Sequence, residues 1–409
     1  MNARQRLNDA VLTCVRLERR VDPYVRPLFD RTLLSPLQTL TQWCVNVRRP
    51  DEHLGLAEER PLPDEAVLAE AVTRQMARFI EREYEPGRAQ RAGNTKTYGV
   101  VRGQYTVRDD LPAELRHGVF SRPATFPAWV RFAGPGPLAP PDIDDNGVLS
   151  VGVKLLGVDG AKLLDEEPHS QDFTGISAPT FTTPDVVANL SLQQHVFDGT
   201  PVLYFLGPRH PHLCDMVMQA LYARTHASPL QARYWSCTPY LLGEGRAMQY
   251  SLVPRGEPRG RAPWHPPDDY LRQALATTLR RRDVVFDFLV QLQTDPHRMP
   301  VENASVVWPE ALSPFVPVAT LRLPRQEFDE EEQFALADRL SFNPWHALPE
   351  HRPLGNQNRA RRTIYLELSR LRQTMNGTPR EDPGHGVRPA GDAPPGSARG
   401  STEPPLSSQ

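Results

Sequence analysis

The chain has few cysteines for its 409 residues, and none of them form a motif. The four cysteines, Cys14, Cys44, Cys214 and Cys237, lie far apart in sequence and show no CxxC spacing. This spacing argues against a zinc site and against a disulfide framework. We therefore expect four buried free thiols.

Long apolar runs and an excess of one charge are also missing. No stretch reaches eighteen consecutive apolar residues, and the arginine-rich N-terminal stretch lacks the apolar core of a secretory signal peptide. The 47 basic and 49 acidic residues give a net charge of −2, which provides no electrostatic footprint for nucleic acid. The sequence therefore predicts a cytoplasmic protein with no transmembrane segment and no nucleic-acid partner.

The short motifs of several large enzyme classes are absent as well. The sequence has no G-x-G-x-x-G after a strand-like run, no G-x-x-x-x-G-K-[ST], no G-x-S-x-G and no H-E-x-x-H. These absences argue against a dinucleotide fold, a P-loop fold, an α/β-hydrolase and a zinc protease.

What is present divides the chain into three parts. Residues 1–62 mix apolar and basic residues and are interpreted as an N-terminal helical arm. Residues 63–376 combine amphipathic helices with alternating, strand-like runs but show no steady βαβ rhythm, which predicts an α+β domain around an antiparallel sheet or barrel. Residues 377–409 are rich in proline, glycine, serine and charge, so we predict that this tail is disordered.

One predicted helix carries a chemically suggestive spacing. The segment from Asn358 to Arg372 contains no glycine or proline, and Arg361, Tyr365 and Arg372 fall on one face of a helix. A guanidinium one turn before a phenol favours the phenolate, and a phenolate can ligate haem iron. On spacing alone, however, an ordinary surface helix with solvated arginines and a packed tyrosine is the favoured interpretation.

A resemblance to a known family changes that balance. Blocks of sequence follow Arg91 in a particular order over about two thirds of the chain: Lys96–Gly99, Phe126–Phe132, Val153–Leu156, Gln171–Phe173, Tyr234–Tyr240, Met299–Glu302, Ser341–His346 and His351–Gly355. In residue identity and in order these blocks resemble the haem catalases, and more closely the shorter catalase-like haem proteins. The resemblance implies a catalase-like antiparallel β-barrel with flanking helices and a buried haem.

The resemblance also implies the residues that would hold the haem. Tyr365 matches the tyrosinate that ligates the iron, and Arg361 matches the arginine that stabilises this phenolate. Three further arginines match positions that bind the propionates, and two phenylalanines match haem contacts: Arg91, Arg131, Arg372, Phe132 and Phe181.

The opposite side of the implied pocket departs from the family pattern. Catalases have a proton-shuttling histidine three residues after the position of Arg91, whereas this chain has Asn94, whose amide cannot accept and return a proton near neutral pH. Tyr98 is a neighbouring residue and a poor base, Ala133 replaces a supporting serine, and Ser177 is aligned with the distal asparagine. We predict that Asn94, Tyr98 and Ser177 face the substrate.

Two function classes follow from the resemblance. The first is an enzyme that uses tyrosinate-ligated haem on hydrogen peroxide or on an organic (lipid) hydroperoxide, with weak catalase activity because loss of a general base costs about 10²- to 10⁴-fold. The second is a non-catalytic haem-binding or sensing protein. A haem-free scaffold is disfavoured, because an empty pocket does not need a buried phenolate with an arginine partner.

The expected partners follow from these two classes. They are haem and a peroxide or hydroperoxide, and a homo-oligomer is as open as a monomer. If the protein evolves oxygen at a catalase-like rate, His117 is the first other base to test.

Overall fold

The computed structural model describes residues 3–49, 52–207, 212–257, 260–378 and 382–387. The α-helices are α1 (Ala3–Thr32), α2 (Leu34–Arg48), α3 (Glu65–Glu83), α4 (Val186–Phe197), α5 (Pro201–Phe205), α6 (Leu213–Tyr222), α7 (Tyr270–Arg281), α8 (Glu331–Arg339) and α9 (Asn356–Asn376). The strands are β1 (Thr97–Val107), β2 (Thr125–Ala133), β3 (Ser150–Leu156), β4 (Ser170–Ile176), β5 (Tyr234–Trp235), β6 (Tyr240–Leu241), β7 (Ala247–Pro254), β8 (Val284–Leu292) and β9 (Val316–Leu323).

The strands form one antiparallel sheet that closes on itself. Their order is β5-β4-β3-β2-β1-β9-β8-β7-β6, and an additional pairing of β5 with β7 closes eight of them into a barrel. Along the second half of β1, buried Gly103, Tyr105 and Val107 alternate with exposed residues, as expected for a strand with one face on a core. The predicted α+β fold, with an antiparallel barrel, flanking helices and an N-terminal helical arm, is confirmed.

Aromatic side chains fill the barrel. The ring centroid of Phe173 lies 4.9 Å from that of Phe288 and 5.2 Å from that of Tyr250, within the range for favourable aromatic pairs. Tyr105 packs edge-on against Phe288 with a centroid distance of 5.3 Å. The barrel interior is therefore a packed core, and a site for a large ligand must lie outside it.

The N-terminal arm is fixed to the end of α6. The Arg26 guanidinium donates hydrogen bonds to the carbonyl oxygens of Leu221 and Ala223, at 2.5 and 2.6 Å. A carboxylate oxygen of Asp22 accepts from the Thr225 amide at 2.6 Å. Carbonyls at a helix C-terminus lack intrahelical partners and favour a cation, so this contact stabilises both α6 and the position of the arm.

Helix α9 begins and ends at glycines and is anchored at its first turn. Gly355 and Gly377 both have positive φ, at 84° and 60°, and a Cβ on Gly355 would lie 2.2 Å from the carbonyl oxygen of Val301. The Arg359 guanidinium forms ion pairs with three carboxylates at 2.5 to 2.9 Å, those of Glu59, Glu65 and Glu302. These contacts set the position of α9 relative to α3 and the preceding segment.

The structure describes only a small part of the predicted C-terminal tail. Of the predicted disordered tail, only residues 377–378 and 382–387 fall within the described structure, where Asp382 Oδ2 lies 2.6 Å from His169 Nδ1. The rest of the tail lies outside the described residues. Over the part of the chain that is described, no helix combines the length and apolarity needed to cross a bilayer.

Candidate cofactor-binding cavity

A cavity of about 690 Å³ lies between the barrel and the helices around it. Strands β3 and β4 line one part of it, α9 lines another, and α1, α3, α4, α5 and α6 supply side chains around the remainder. A volume of this size lies within the ~300–1,000 Å³ typical of sites for cofactors and small molecules.

The predicted phenol and guanidinium meet at this cavity. Arg361 and Tyr365 both line it, and Arg361 Nη2 donates to the Tyr365 hydroxyl at 3.1 Å. They occupy successive turns of α9, as the i, i+4 spacing predicts. The guanidinium cation therefore contacts the phenol oxygen directly.

Other contacts hold the Arg361 side chain in place. Its guanidinium donates to Thr174 Oγ1 and Asn358 Oδ1, each at 3.0 Å, and to Thr238 Oγ1 at 3.4 Å. Burial is the largest single influence and acts to lower the pKa of Arg361, but the interactions with Tyr365, Tyr240 and Tyr250 together outweigh it and the pKa is raised. Arg361 is therefore a fixed cation beside the phenol.

Three more arginines gather at the cavity, as the resemblance implies. Arg91, Arg131 and Arg372 all line it. Their guanidinium groups donate to backbone carbonyls and, for Arg131, to a threonine hydroxyl: the acceptors include Ala337, Leu340, Asp338, Asn94 and Thr97. None of the three forms an ion pair with a carboxylate of the described residues.

The electrostatics of this arginine cluster are unfavourable without an anion. Burial and the nearby charge of Arg372 lower the pKa of Arg131 to about 9. Burial and a neighbouring arginine also hold the pKa of Arg91 and of Arg372 well below the usual value. The buried Nη1 of Arg91 has no hydrogen-bond partner among the described residues. An anion with two or more acceptor oxygens would relieve this arrangement.

Asn94 also reaches the cavity and has an unusual backbone. Its φ is +49°, and its carbonyl oxygen accepts from Arg131 Nη2 at 2.6 Å. Its amide N–H donates to the Pro135 carbonyl at 3.1 Å. Within the described chain its side-chain amide makes no hydrogen bond, so this group is free to contact a ligand. Phe181 lines the cavity too, with its ring centroid 5.7 Å from the Arg361 guanidinium carbon.

Three predicted site residues are not among those that line the cavity. Phe132 follows Arg131 on β2, so its side chain points to the opposite face and packs with Tyr234 in the barrel core. Tyr98 is also a core residue and is 1% exposed. Ser177 Oγ accepts from the Leu149 amide at 2.8 Å and lies 3.3 Å from His226 Nε2.

The residue that lines the cavity next to Ser177 is Ile176, the last residue of β4. The resemblance did not identify Ile176, because it aligned the neighbouring Ser177 with the distal asparagine of the catalases. An aliphatic side chain at this position offers neither a hydrogen bond nor a proton. Together with Asn94, it leaves this part of the wall without a base.

The arm supplies a wall that the sequence did not predict. Leu12, Val15 and Arg19 lie at i, i+3 and i+7 on one face of α1 and line the cavity. Their helical spacing is readable in the sequence, but which element they face depends on how the arm packs.

A carboxyl group also reaches the cavity. Asp145 lines it, and its Oδ2 accepts from the Gly136 amide at 3.1 Å. Burial raises the pKa of Asp145, opposed by this backbone hydrogen bond and by the charge of Arg19. The carboxyl therefore gains and loses a proton closer to neutral pH than an exposed aspartate does.

No histidine lines the cavity among the described residues. His117 lies against Gly243, where its Nδ1 would be 2.5 Å from an added Cβ. His226 is buried beside Ser177, and burial together with nearby arginines lowers its pKa to about 3. Among the described residues, neither His117 nor His226 brings an imidazole to the cavity wall.

A separate buried cluster has metal-binding residue types but a different role. Glu167, Asp172 and His346 bring their ligand atoms together on the barrel. Lys154 Nζ already occupies the space between the carboxylates, 2.8 Å from Asp172 Oδ1 and in contact with Glu167. The ammonium supplies the positive charge that a metal ion would bring, so we interpret the cluster as structural.

Comparisons with known proteins agree with the fold. Neither a family model nor a curated protein sequence matches the chain. Among solved structures it is similar to a fungal catalase (17% identity, TM-score 0.55) and to catalase A from Saccharomyces cerevisiae (16% identity, TM-score 0.54). The match covers 80% of this chain in both cases, but only 66% and 68% of those proteins. The chain therefore has a catalase-like fold and spans about two thirds of their length.

Proposed function

We propose that this chain is a catalase-related haem protein in which the Tyr365 phenolate ligates the iron. The observation that carries the proposal is the 3.1 Å contact of Arg361 with the Tyr365 hydroxyl at the wall of a cofactor-sized cavity. Tyrosinate is an established haem ligand, and an adjacent guanidinium favours the anionic form that ligation requires.

The other residues that line the cavity also fit a bound haem. Iron protoporphyrin is a flat, apolar molecule with two carboxylates, and Arg91, Arg131 and Arg372 supply three guanidinium groups without a carboxylate partner in the described chain. Arg91 Nη1 is buried with its hydrogen-bonding capacity unused. The apolar ring would contact apolar lining side chains, including those of Val151, Ile176, Phe181, Ile364 and Leu368. Phe132 and Tyr98 have no place in this proposal, because they belong to the barrel core.

The polar residues of the wall set the chemistry that is possible there. When bound, haem iron supplies the means to cleave a peroxide O–O bond. Arg361 stabilises the phenolate, and the Asn94 amide can donate a hydrogen bond to a substrate oxygen but cannot take its proton. Asp145 is the candidate for exchanging that proton, since its carboxyl lines the cavity and burial raises its pKa.

The proposed reaction is turnover of hydrogen peroxide or, preferably, an organic hydroperoxide, with weak catalase activity. Support for the organic substrate comes from the apolar side chains that the helices bring to the cavity, among them Leu12, Val15, Leu192, Val196, Phe205 and Met216. These side chains favour an acyl or aryl group over water by about 25 cal/mol per Å² of apolar surface buried. A cytoplasmic location and self-association remain part of the proposal.

A second candidate is haem binding or sensing without turnover. It is favoured by the absence of any histidine among the described residues that line the cavity. In this case Tyr365 and the arginines would hold the group, while Asn94 would contact a small ligand through its amide.

Absorption spectroscopy tests the proposal. Purified protein, as isolated and after addition of hemin, is expected to show a Soret band and a high-spin ferric spectrum, and Tyr365→Phe is expected to abolish both. Tyr24→Phe is the matched control, because Tyr24 is exposed on α1 and does not line the cavity. Full haem occupancy in Tyr365→Phe would contradict the assignment of the ligand.

Steady-state assays then separate the two candidates. Turnover of cumene hydroperoxide with an electron donor, at a rate above that of free hemin, supports the enzyme. A stable haem spectrum without turnover of either peroxide supports the binding protein.

A further inference from the structure

Two cysteines that are 170 positions apart in sequence meet in the fold. Cys44 lies in α2 and Cys214 is the second residue of α6, and these two helices pack against each other. The Cys44 side chain is a direct electrostatic neighbour of the Cys214 thiol, and both residues are half-buried. The sequence predicted four buried free thiols; all four are free, but Cys14 is exposed and Cys44 and Cys214 are only half-buried, so the prediction of burial is wrong for these three.

The surroundings of this thiol pair set its reactivity. Arg48 lies one helical turn after Cys44 on α2, and its charge acts on Cys214 in favour of the thiolate. Burial acts in the opposite direction, and together with Cys44 and Asp215 it raises the pKa of Cys214. Cys214 therefore lies beside a second thiol and a cation, is partly accessible, and has a raised pKa.

We propose that Cys44 and Cys214 are a modification site that hydroperoxides convert to an intramolecular disulfide. A thiolate sulfur attacks one oxygen of the hydroperoxide, the O–O bond breaks, and a sulfenic acid and an alcohol form. The second thiol then attacks the sulfenic sulfur, so that an S–S bond forms and water leaves. In total, one hydroperoxide and two thiols give one disulfide, one alcohol and one water.

The other two cysteines do not share this arrangement. Cys14 is exposed on α1. Cys237 is 1% exposed, its thiol donates to the Ala178 carbonyl at 2.9 Å, and burial raises its pKa. Neither belongs to a thiol pair in the described structure, so the chain offers one site for an internal disulfide and two internal controls.

The disulfide would connect the arm to a wall of the cavity. Cys214 precedes Met216, Gln219 and Ala220, which line the cavity from α6. A covalent link at the start of this helix would hold α6 against α2 and restrict movement of the wall. Oxidation by a hydroperoxide would thus change the mobility of the cavity wall that α6 forms.

Peptide mapping of the full chain tests the proposal. The protein is reduced, freed of reductant, and treated separately with diamide, which oxidises thiols without haem, and with tert-butyl hydroperoxide. It is then alkylated with N-ethylmaleimide and digested. The expected result is a loss of two of the four alkylatable thiols per chain and a peptide pair that joins Cys44 to Cys214. The diamide result does not depend on the haem assignment, so the two proposals can fail separately.

Variants of the exposed and paired cysteines complete the test. Cys14→Ser should still form the internal disulfide, whereas Cys44→Ser should leave Cys214 fully alkylated. Full alkylation of Cys44 and Cys214 in the wild type, under diamide conditions that oxidise glutathione completely, would overturn the proposal. Dimers linked through Cys14, with Cys44 and Cys214 still alkylated, would overturn it as well.

Discussion

Replacing Arg131 with methionine should move protein stability and haem affinity in opposite directions. Burial, and then the charge of Arg372, lowers the pKa of Arg131 from its ordinary value to about 9. A lowering of this size corresponds to about 5 kcal/mol against the charged form in the folded, haem-free protein. The charged side chain also makes hydrogen bonds to Asn94, Thr95 and Thr97, worth together about 3 kcal/mol.

The difference between these two contributions gives the expected change in the free energy of unfolding. Without haem, Arg131→Met should raise the free energy of unfolding by about 2 kcal/mol, because more repulsion and desolvation is removed than hydrogen bonding is lost. With haem, one charge-assisted hydrogen bond to a carboxylate disappears, which should weaken hemin binding about 10- to 100-fold. Methionine keeps most of the side-chain length and removes the charge.

Urea unfolding of haem-free protein and hemin titration followed by absorbance measure the two quantities. Arg102→Met is the matched control, since Arg102 is an exposed arginine on β1 and should change stability by less than about 0.5 kcal/mol. A haem-free Arg131→Met protein that is less stable than wild type, or one that binds hemin with unchanged affinity, would refute the argument that this cluster is held for an anion.

Two further predictions concern the missing base and the acid stability. Asn94→His should raise oxygen release from hydrogen peroxide by at least about 10-fold, because a general base is restored; an unchanged rate in a haem-loaded variant would contradict this. Burial lowers the pKa of His351 to about 4, and its Nε2 accepts from the Val119 amide. Between pH 6.5 and 4 the unfolded chain therefore binds a proton that the folded chain does not, so the free energy of unfolding should fall by about 3 kcal/mol as the pH decreases through this range. In urea titrations His351→Gln should remove this part of the pH dependence and exposed His265→Gln should not; an unchanged slope in His351→Gln would rule out this origin.

Helix α9 was predictable because the signals that define it are local in the sequence. The segment from Asn358 to Arg372 lies within α9, and the absence of glycine and proline between Gly355 and Gly377 sets both ends. The i, i+4 spacing of Arg361 and Tyr365 led directly to their contact. Residue spacing along one helix therefore carried the geometry of that part of the site.

Other elements depended on partners distant in sequence. Strand β4 was not predicted, because Ser170, Gln171 and Asp172 look like surface residues in the sequence; Asp172 is buried because Lys154 on β3 neutralises it. The start of α4 at Val186 depends on its cap, because the Asp185 side chain accepts from the Ala188 amide.

The residues of the cavity wall were also difficult to predict from the sequence. Whether Ile176 or Ser177 faces a ligand depends on a one-residue alternation, and the sequence blocks alone could not resolve it. The lining residues of α1 could not be assigned either, since helical spacing does not say what a helix packs against.

The left-handed backbone at Asn94 limits how this site can change over time. With φ at +49°, the position accepts glycine, asparagine, aspartate and histidine much more readily than other residues. Of these four residues, histidine is the one whose ordinary pKa lies near neutral pH. A single substitution between asparagine and histidine at this position can therefore add or remove a proton-accepting side chain at the cavity wall without a change of the loop backbone.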